Sequence, residues 1–499
     1  MNLLSLMTLL LFPLITSIVV GFLTHGEVAT RRLSKILALG HLVYASLFLC
    51  FINPIDGTYQ MVQEVLNDGK IWIDTLGISF SLAIDGISLV LILLTCFLTL
   101  LSIIASKNII KHRHNFYYSM IFLLEFSVLG VFLAKDLFLF FLFWELELIP
   151  MYFLISLWGK GRARYSAQKY VLYTFAGSIF MLGAILAIYY SHFLHTGVLS
   201  MDMGELSSFN NYPSMLQFFC FLGFLIAFAV KLPIVPLHSW LPDAHVDAPT
   251  PISILLAGIL LKLGGYGLIK INLFFFPSIF NFFSPILFWF ALFNIIYAGL
   301  IAYAQSDLKK LVAYSSISNM GFVLVGLCSI NSIGTTGAIM HMLSHGLVAA
   351  SLFMIIEIIY SRTNTREIDK LGGLIEKLPS LYYLSIIFAL CAIGIPGLVG
   401  FVGEVLCLYG AGISDAFFNI QLFTAIALIG LITSAVYMTT ILKKIFCGIM
   451  IENYDEINPI KPYEWWVLIP LAILIVGIGI CPNPLIQIFS IPIDSFFNM

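Results

Sequence analysis

Two lysines sit where lysines are costly. Lys231 and Lys262 lie inside stretches otherwise apolar enough to cross a bilayer, each beside a proline or glycine break. An ammonium at the bilayer centre costs about 2.5–3.5 kcal/mol even on the lenient insertion scale, so it persists there with a partner, a water-filled cavity or a function. The chemistry open to such a group is proton or ion transfer. Lys231 begins the run Lys231-Leu232-Pro233-Ile234-Val235-Pro236-Leu237-His238, whose two prolines remove amide donors and interrupt the helix. Backbone groups freed at membrane depth must be met by protein or water, and the break predicts a hydrated cavity at Lys231. Lys262 has no acid near it in sequence, so its charge must be managed from another helix.

Further ionisable groups share this setting. Glu145 and Glu147 fall mid-span in Phe143-Trp144-Glu145-Leu146-Glu147-Leu148-Ile149-Pro150. Two positions apart on a helix they point about 200° from each other, so at most one faces a given partner. His341 and His345 are four residues apart and share a helical face, a spacing that suits a proton relay or hydrogen-bonded packing; metal or haem ligation would need further ligands that the spacing does not supply. Glu404 follows a second break, Gly394-Ile395-Pro396-Gly397. His238 and Glu147 are read as auxiliary groups, and Asp85, Glu125 and Glu357 as packing or loop-adjacent acids, since no break adjoins them.

The elements that must position these residues are membrane helices. The chain has 499 residues, 60% hydrophobic and 10% charged, with a mean hydropathy of +1.02, a profile of a polytopic, all-α membrane protein. At about 20 apolar residues per span, fourteen spans are expected, centred on Leu10, Ser46, Ile92, Leu124, Leu148, Leu182, Phe224, Leu260, Leu292, Gly321, Ser351, Ala389, Leu428 and Ala472. The first segment lacks the basic start and small-residue cleavage site of a signal peptide, so Met1 is expected to stay. Eight scattered cysteines without C-x-x-C spacing argue against iron–sulfur clusters, zinc and a disulfide framework. Nor is there a phosphate-binding loop or a dinucleotide fingerprint, which argues against ATP, NAD or flavin sites in this chain; no nucleic-acid partner is expected either.

Basic residues set the orientation. With both termini outward, nineteen of the 24 Lys and Arg fall in inner gaps, three (Lys70, Lys135, Lys270) lie outside and two, Lys231 and Lys262, are within spans. The outer loops lean acidic (Asp56, Glu64, Asp68, Asp74, Asp202, Glu205) and read as solvated surface; the inner link from Ser361 to Pro379 reads as a connector. The interrupted seventh and twelfth spans are five helices apart and each carries one ionisable group, a pattern of inverted repeats. The expected division is 1–115 for three leading helices, 116–272 for a first five-helix repeat, 273–447 for its inverted copy and 448–499 for the last helix.

From about Asp85 to Ile441 these motifs resemble the antiporter-like membrane subunits of proton-pumping respiratory complex I and its photosynthetic relatives, the type called subunit 4. The resemblance rests on Phe143-Trp144-Glu145, the run from Lys231 through Trp240-Leu241-Pro242-Asp243-Ala244-His245, Ala248-Pro249-Thr250, Leu255 to Gly264, Asp307 to Ser316, Ser344-His345-Gly346 and Gly400-Phe401-Val402-Gly403-Glu404. Trp144-Glu145-Leu146-Glu147-Leu148-Ile149-Pro150 looks more like the cyanobacterial and plastid branch than the mitochondrial one. The resemblance implies an ion pair of Glu145 with Lys231, a relay through Lys262 and His345, and exit near Glu404. It implies that NADH or ferredoxin, iron–sulfur clusters and quinone are handled by partner subunits, in a bacterial cytoplasmic or thylakoid membrane ahead of the mitochondrial inner membrane. A cation/proton antiporter subunit of the multi-subunit sodium-exchange type is the alternative. One departure stands out: Asn319 replaces the family's usual histidine, and asparagine carries no proton, leaving that step to His341 or to water.

Overall fold

The computed structural model describes residues 5–24, 26–51, 61–64, 72–209, 211–414, 420–448 and 457–497. The outer-loop residues Asp56, Asp68 and Lys70 lie outside them. Among the described residues, thirteen helices are long and apolar enough to cross a membrane: α1 (Leu6–Leu23), α2 (Glu27–Cys50), α3 (Gly86–Ala105), α4 (His114–Leu133), α5 (Leu137–Trp158), α6 (Ala163–Thr196), α7 (Ser214–Lys231), α8 (Thr250–Leu273), α9 (Pro277–Tyr303), α10 (Leu308–Cys328), α11 (Ser332–Thr363), α13 (Ala425–Phe446) and α14 (Pro462–Ile480). Two shorter apolar helices, α12a (Pro379–Ile393) and α12b (Val399–Gly412), form one interrupted span and complete the fourteen. The seventh span continues past its break as α7b (Trp240–Asp247). A two-stranded antiparallel hairpin, β1 (Met61–Glu64) with β2 (Ser81–Ile84), precedes α3.

Acidic side chains start several spans by accepting from otherwise unpaired first-turn amides. Asp85 accepts from the Ser88 amide (2.8 Å), Asp136 from Phe138 (2.9 Å) and Leu139 (3.1 Å), and Asp307 from Lys309 (2.8 Å) and Lys310 (3.1 Å). These acids are therefore spent on helix geometry. Loop contacts sort by parity. On one end Lys135 pairs with Asp202 (2.9 Å), Lys270 pairs with Asp85, and Asp136 bridges to Asp202. On the other, Arg366 meets Asp307 (3.5 Å), Lys444 meets Asp369 (2.9 Å), Arg362 grips Glu464 through both terminal nitrogens (2.7 and 3.1 Å), and the Lys160 amide donates to the Asp247 carbonyl (2.8 Å). This is the alternation that fourteen spans require.

The core runs along α8, α10 and α11. The apolar window of α8 is entirely buried and those of α10 and α11 are 89% buried, whereas α2 and α13 bury 28% and present broad apolar faces. A helix apolar all round and buried all round has protein on every side. The most extensive helix pairings, α6 with α7 and α11 with α12b, occupy equivalent places in the two expected five-helix series.

Candidate proton pathway

The α7 helix ends at Lys231, and protein meets the groups its break frees. Asn294 of α9 accepts from the Val235 amide (2.7 Å) and donates to the Pro233 carbonyl (3.2 Å); the Trp240 indole donates to the Val230 carbonyl (2.9 Å). One amide with both a donor and an acceptor thus satisfies both sides of the gap. Gly264 lets α8 lie against this break, since a Cβ there would stand 2.6 Å from the Leu232 nitrogen.

Lys231 is fully buried, and its ammonium is paired with Glu147. The Tyr170 hydroxyl of α6 joins them, donating to the Glu147 carboxylate (2.7 and 2.9 Å to its two oxygens) and accepting from Lys231 (3.0 Å). The indole of Trp144 and the ring of Tyr170 lie 5.6 and 5.2 Å from the ammonium, close enough for cation–π attraction. The expected Glu145–Lys231 pair is therefore corrected to Glu147–Lys231. The α5 span is broken at Glu147 into Leu137–Leu146 and Leu148–Trp158, ahead of Pro150, and the residue at the joint turns inward. Glu145 is half-buried beside Ser178 of α6, also within electrostatic reach of Lys231.

Lys262 is fully buried on α8 just after a π-helical turn, Leu256–Leu260. Its ammonium donates to the Ala257 carbonyl within that turn (2.5 Å) and stands 2.8 Å from Nδ1 of His345 on α11. A charged lysine donates here to the Nδ1 lone pair of a neutral imidazole, and a neutral lysine accepts from Nδ1–H. No intervening group separates the two nitrogens. The side-chain partner of Lys262 thus comes from another helix.

His345 and Glu404 line one small cavity. Ser315, Ser316 and Asn319 of α10 and His341 and Ser344 of α11 also line it. Asn319 and His341 therefore border one space. Among the described residues neither ring nitrogen of His341 has a hydrogen-bond partner. Glu404 lies within α12b against Gly394, whose φ of +81° and the contact both exclude a side chain: a Cβ would sit 1.9 Å from the Glu404 carboxylate. His238 packs edge-on to Tyr297 (5.8 Å) and near Tyr314 (6.4 Å), apart from the Lys231 and Lys262 contacts.

Several buried groups near this axis were not singled out from sequence. His245 on α7b is fully buried, stacked on Phe353 (4.7 Å), with no partner on either ring nitrogen among the described residues, and within electrostatic reach of Lys262 and Lys309. Lys309 donates to the Ala248 carbonyl (2.8 Å) and lines a cavity of about 460 Å³ with Lys160, Thr250, Glu357 and Arg366. Lys160, Glu357 and Tyr360 also line a wider cleft of about 1280 Å³ on the basic face. The sequence signal for His245 was its place fourteen residues after Lys231 in the same interrupted span; Tyr170, which directly follows Gln168 and Lys169, carried none.

Residues 134–434 match the family described as NADH:quinone oxidoreductase/Mrp antiporter, TM, and residues 61–134 match NADH-ubiquinone oxidoreductase chain 4, amino terminus. The chain is 42% identical over 428 residues to an NAD(P)H-quinone oxidoreductase chain 4 of Synechococcus, covering 84% of this chain and 79% of that one. It is 39% identical over 491 residues to one of Thermosynechococcus vestitus, covering 97% and 90%. Among solved structures it is similar to a chain of respiratory complex I from Thermus thermophilus with bound NADH, with a TM-score of 0.86, 26% identity and 99% of both chains covered. It is also similar to a chain of the membrane-bound sulfane sulfur reductase, an archaeal respiratory membrane complex, with a TM-score of 0.83, 25% identity, and 96% and 76% covered.

Proposed function

The chain belongs to the NADH:quinone oxidoreductase/Mrp antiporter family of membrane subunits, and on that premise we propose that it translocates protons for an NAD(P)H- or ferredoxin-quinone oxidoreductase whose redox steps run in other subunits. NADH or ferredoxin, iron–sulfur clusters and quinone belong, on this reading, to those partners. The match of residues 61–134 to a chain 4 amino terminus favours this over the sodium-exchange alternative. Cyanobacterial relatives favour a thylakoid or bacterial cytoplasmic membrane.

The observation that carries the reading is the 2.8 Å contact between Lys262 and His345, buried and opening on the cavity shared with Glu404. Protons enter from the basic cleft past Glu357 and Lys309, reach Lys262 by way of His245, pass to His345 and leave through the cavity by Glu404. Lys231 gates the line. Two unit charges 4 Å apart at an effective dielectric of 20 attract by about 4 kcal/mol. Separating Lys231 from Glu147 therefore withdraws the anion that holds its proton and frees that proton to pass toward Lys262. Glu145, within electrostatic reach of Lys231, offers a second anion when Glu147 is protonated.

Replacing Lys262 by alanine in the assembled complex is expected to abolish acidification-linked dye quenching in membrane vesicles while quinone reduction continues. Undiminished quenching at an equal electron-transfer rate would refute the assignment.

A further inference from the structure

Away from this axis, the first four helices enclose a second cluster of ionisable groups. His41 of α2, Cys96 of α3 and Glu125 of α4 meet in the interior, each no more than 2% exposed. The His41 ring lies flat on Phe12 of α1 (4.9 Å, 6° between planes), which fixes its orientation. Nε2 stands 3.1 Å from the Leu9 carbonyl, Nδ1 stands 2.9 Å from a Glu125 carboxylate oxygen, and the Cys96 sulfur is 3.7 Å from Nδ1. Cys96 and Glu125 are the titratable groups facing His41 from α3 and α4; α1 brings only the carbonyl and the phenyl ring.

Donors and acceptors fix the number of protons in this cluster. A carbonyl only accepts, so Nε2 carries a hydrogen. Nδ1 of a neutral imidazole in that tautomer is a lone pair, and an ionised carboxylate offers only lone pairs. Two acceptors do not rest 2.9 Å apart without a proton between them. The pair thus holds one proton more than a neutral histidine and a free carboxylate, either as imidazolium and carboxylate or as imidazole and carboxylic acid. The second Glu125 oxygen is buried without a partner among the described residues, and Glu125 lines a small cavity. Thr95 and Thr99 line its near side, and Leu255, Ile259 and Leu260 of the α8 π-turn region its far side.

We propose that His41, Glu125 and Cys96 form a second buried proton-binding site, separate from the relay, which exchanges its proton through the cavity beside Thr95 and Thr99. It stands whether or not Lys262 carries protons. The rival with the same donor set is a metal ion, since imidazole, thiolate and carboxylate are all zinc ligands; a fixed structural hydrogen bond is the other.

The test is infrared difference spectroscopy of the intact complex in its membrane, recorded on changing pH and on exchange into D₂O. Glu125→Gln keeps the side chain's shape, and its amide can donate to Nδ1, so the complex is expected to assemble. That variant is expected to lose one carboxyl or carboxylate band together with imidazole bands that respond to pH, and Thr95→Val to keep the bands while slowing their exchange. A pH-difference spectrum unchanged by Glu125→Gln would overturn the proposal in favour of a fixed hydrogen bond. One equivalent of zinc or copper per polypeptide, lost in Cys96→Ser, would overturn it in favour of a metal site.

Discussion

Replacing Glu147 by glutamine takes the anion from Lys231 while keeping its shape, and that single change separates the two acids of the fifth span. Removing one member of a buried ion pair strands the other, a loss of about 3–5 kcal/mol where the remaining charge cannot adapt. A lysine adapts by giving up its proton. Glu147→Gln is therefore expected to reduce proton translocation strongly, and Glu145→Gln only in part, in proton-to-electron ratios of assembled complexes; the reverse ranking would restore Glu145 as the partner. Tyr170 bonds both charges, and hydrogen bonds to charged groups are worth about 1.5–3 kcal/mol, so Tyr170→Phe should slow pumping without ending it. Asn319 and His341 border one cavity. His341→Gln should then impair transfer to Glu404, and adding Asn319→His should restore much of it. A double variant no better than His341→Gln alone would mean that water, not a side chain, spans the gap.

At the scale of elements, breaks and close approaches make the site. Three local irregularities fall beside the ionisable groups: the interruption after Lys231, the joint at Glu147 and the π turn before Lys262. Each turns a group inward or frees a backbone atom to bond a side chain, as the Ala257 carbonyl does for Lys262. Asn294 satisfies both sides of the first break, and an unsatisfied buried group costs about 1–3 kcal/mol. Asn294→Ala should accordingly lower the thermal stability of the assembled complex, measured by loss of intact complex on native gels after heating. Unchanged stability would mean that water replaces the amide. The proline and glycine runs made both broken spans legible in the sequence. The joint at Glu147 was not, because Pro150 comes three residues later and a two-residue spacing says that the acids diverge, not which one faces in.

For the whole molecule, alternation of charge along the polypeptide and the parity of its loop contacts agree on its course. Lys310 lies on the basic end and Asp202 on the acidic one. With the exposed Cys50 and Cys481 and the half-buried Cys447 replaced, single cysteines at 310 and 202 are expected to react with an impermeant maleimide from opposite faces of the membrane; labelling from one face would break the fourteen-span count. Composition and proline placement alone determined that this is a polytopic helical protein with two interrupted spans and buried ionisable groups, because a bilayer penalises every charge and every unpaired amide one helix at a time. Which acid meets Lys231, that Lys262 touches His345, that His245 lies within electrostatic reach of two lysines, and that His41 finds Glu125 were decided only by tertiary structure. The three direct contacts join residues 83 or 84 positions apart, and their partners are set by how helices rotate and pack against one another, a property that no single helix carries in its own sequence.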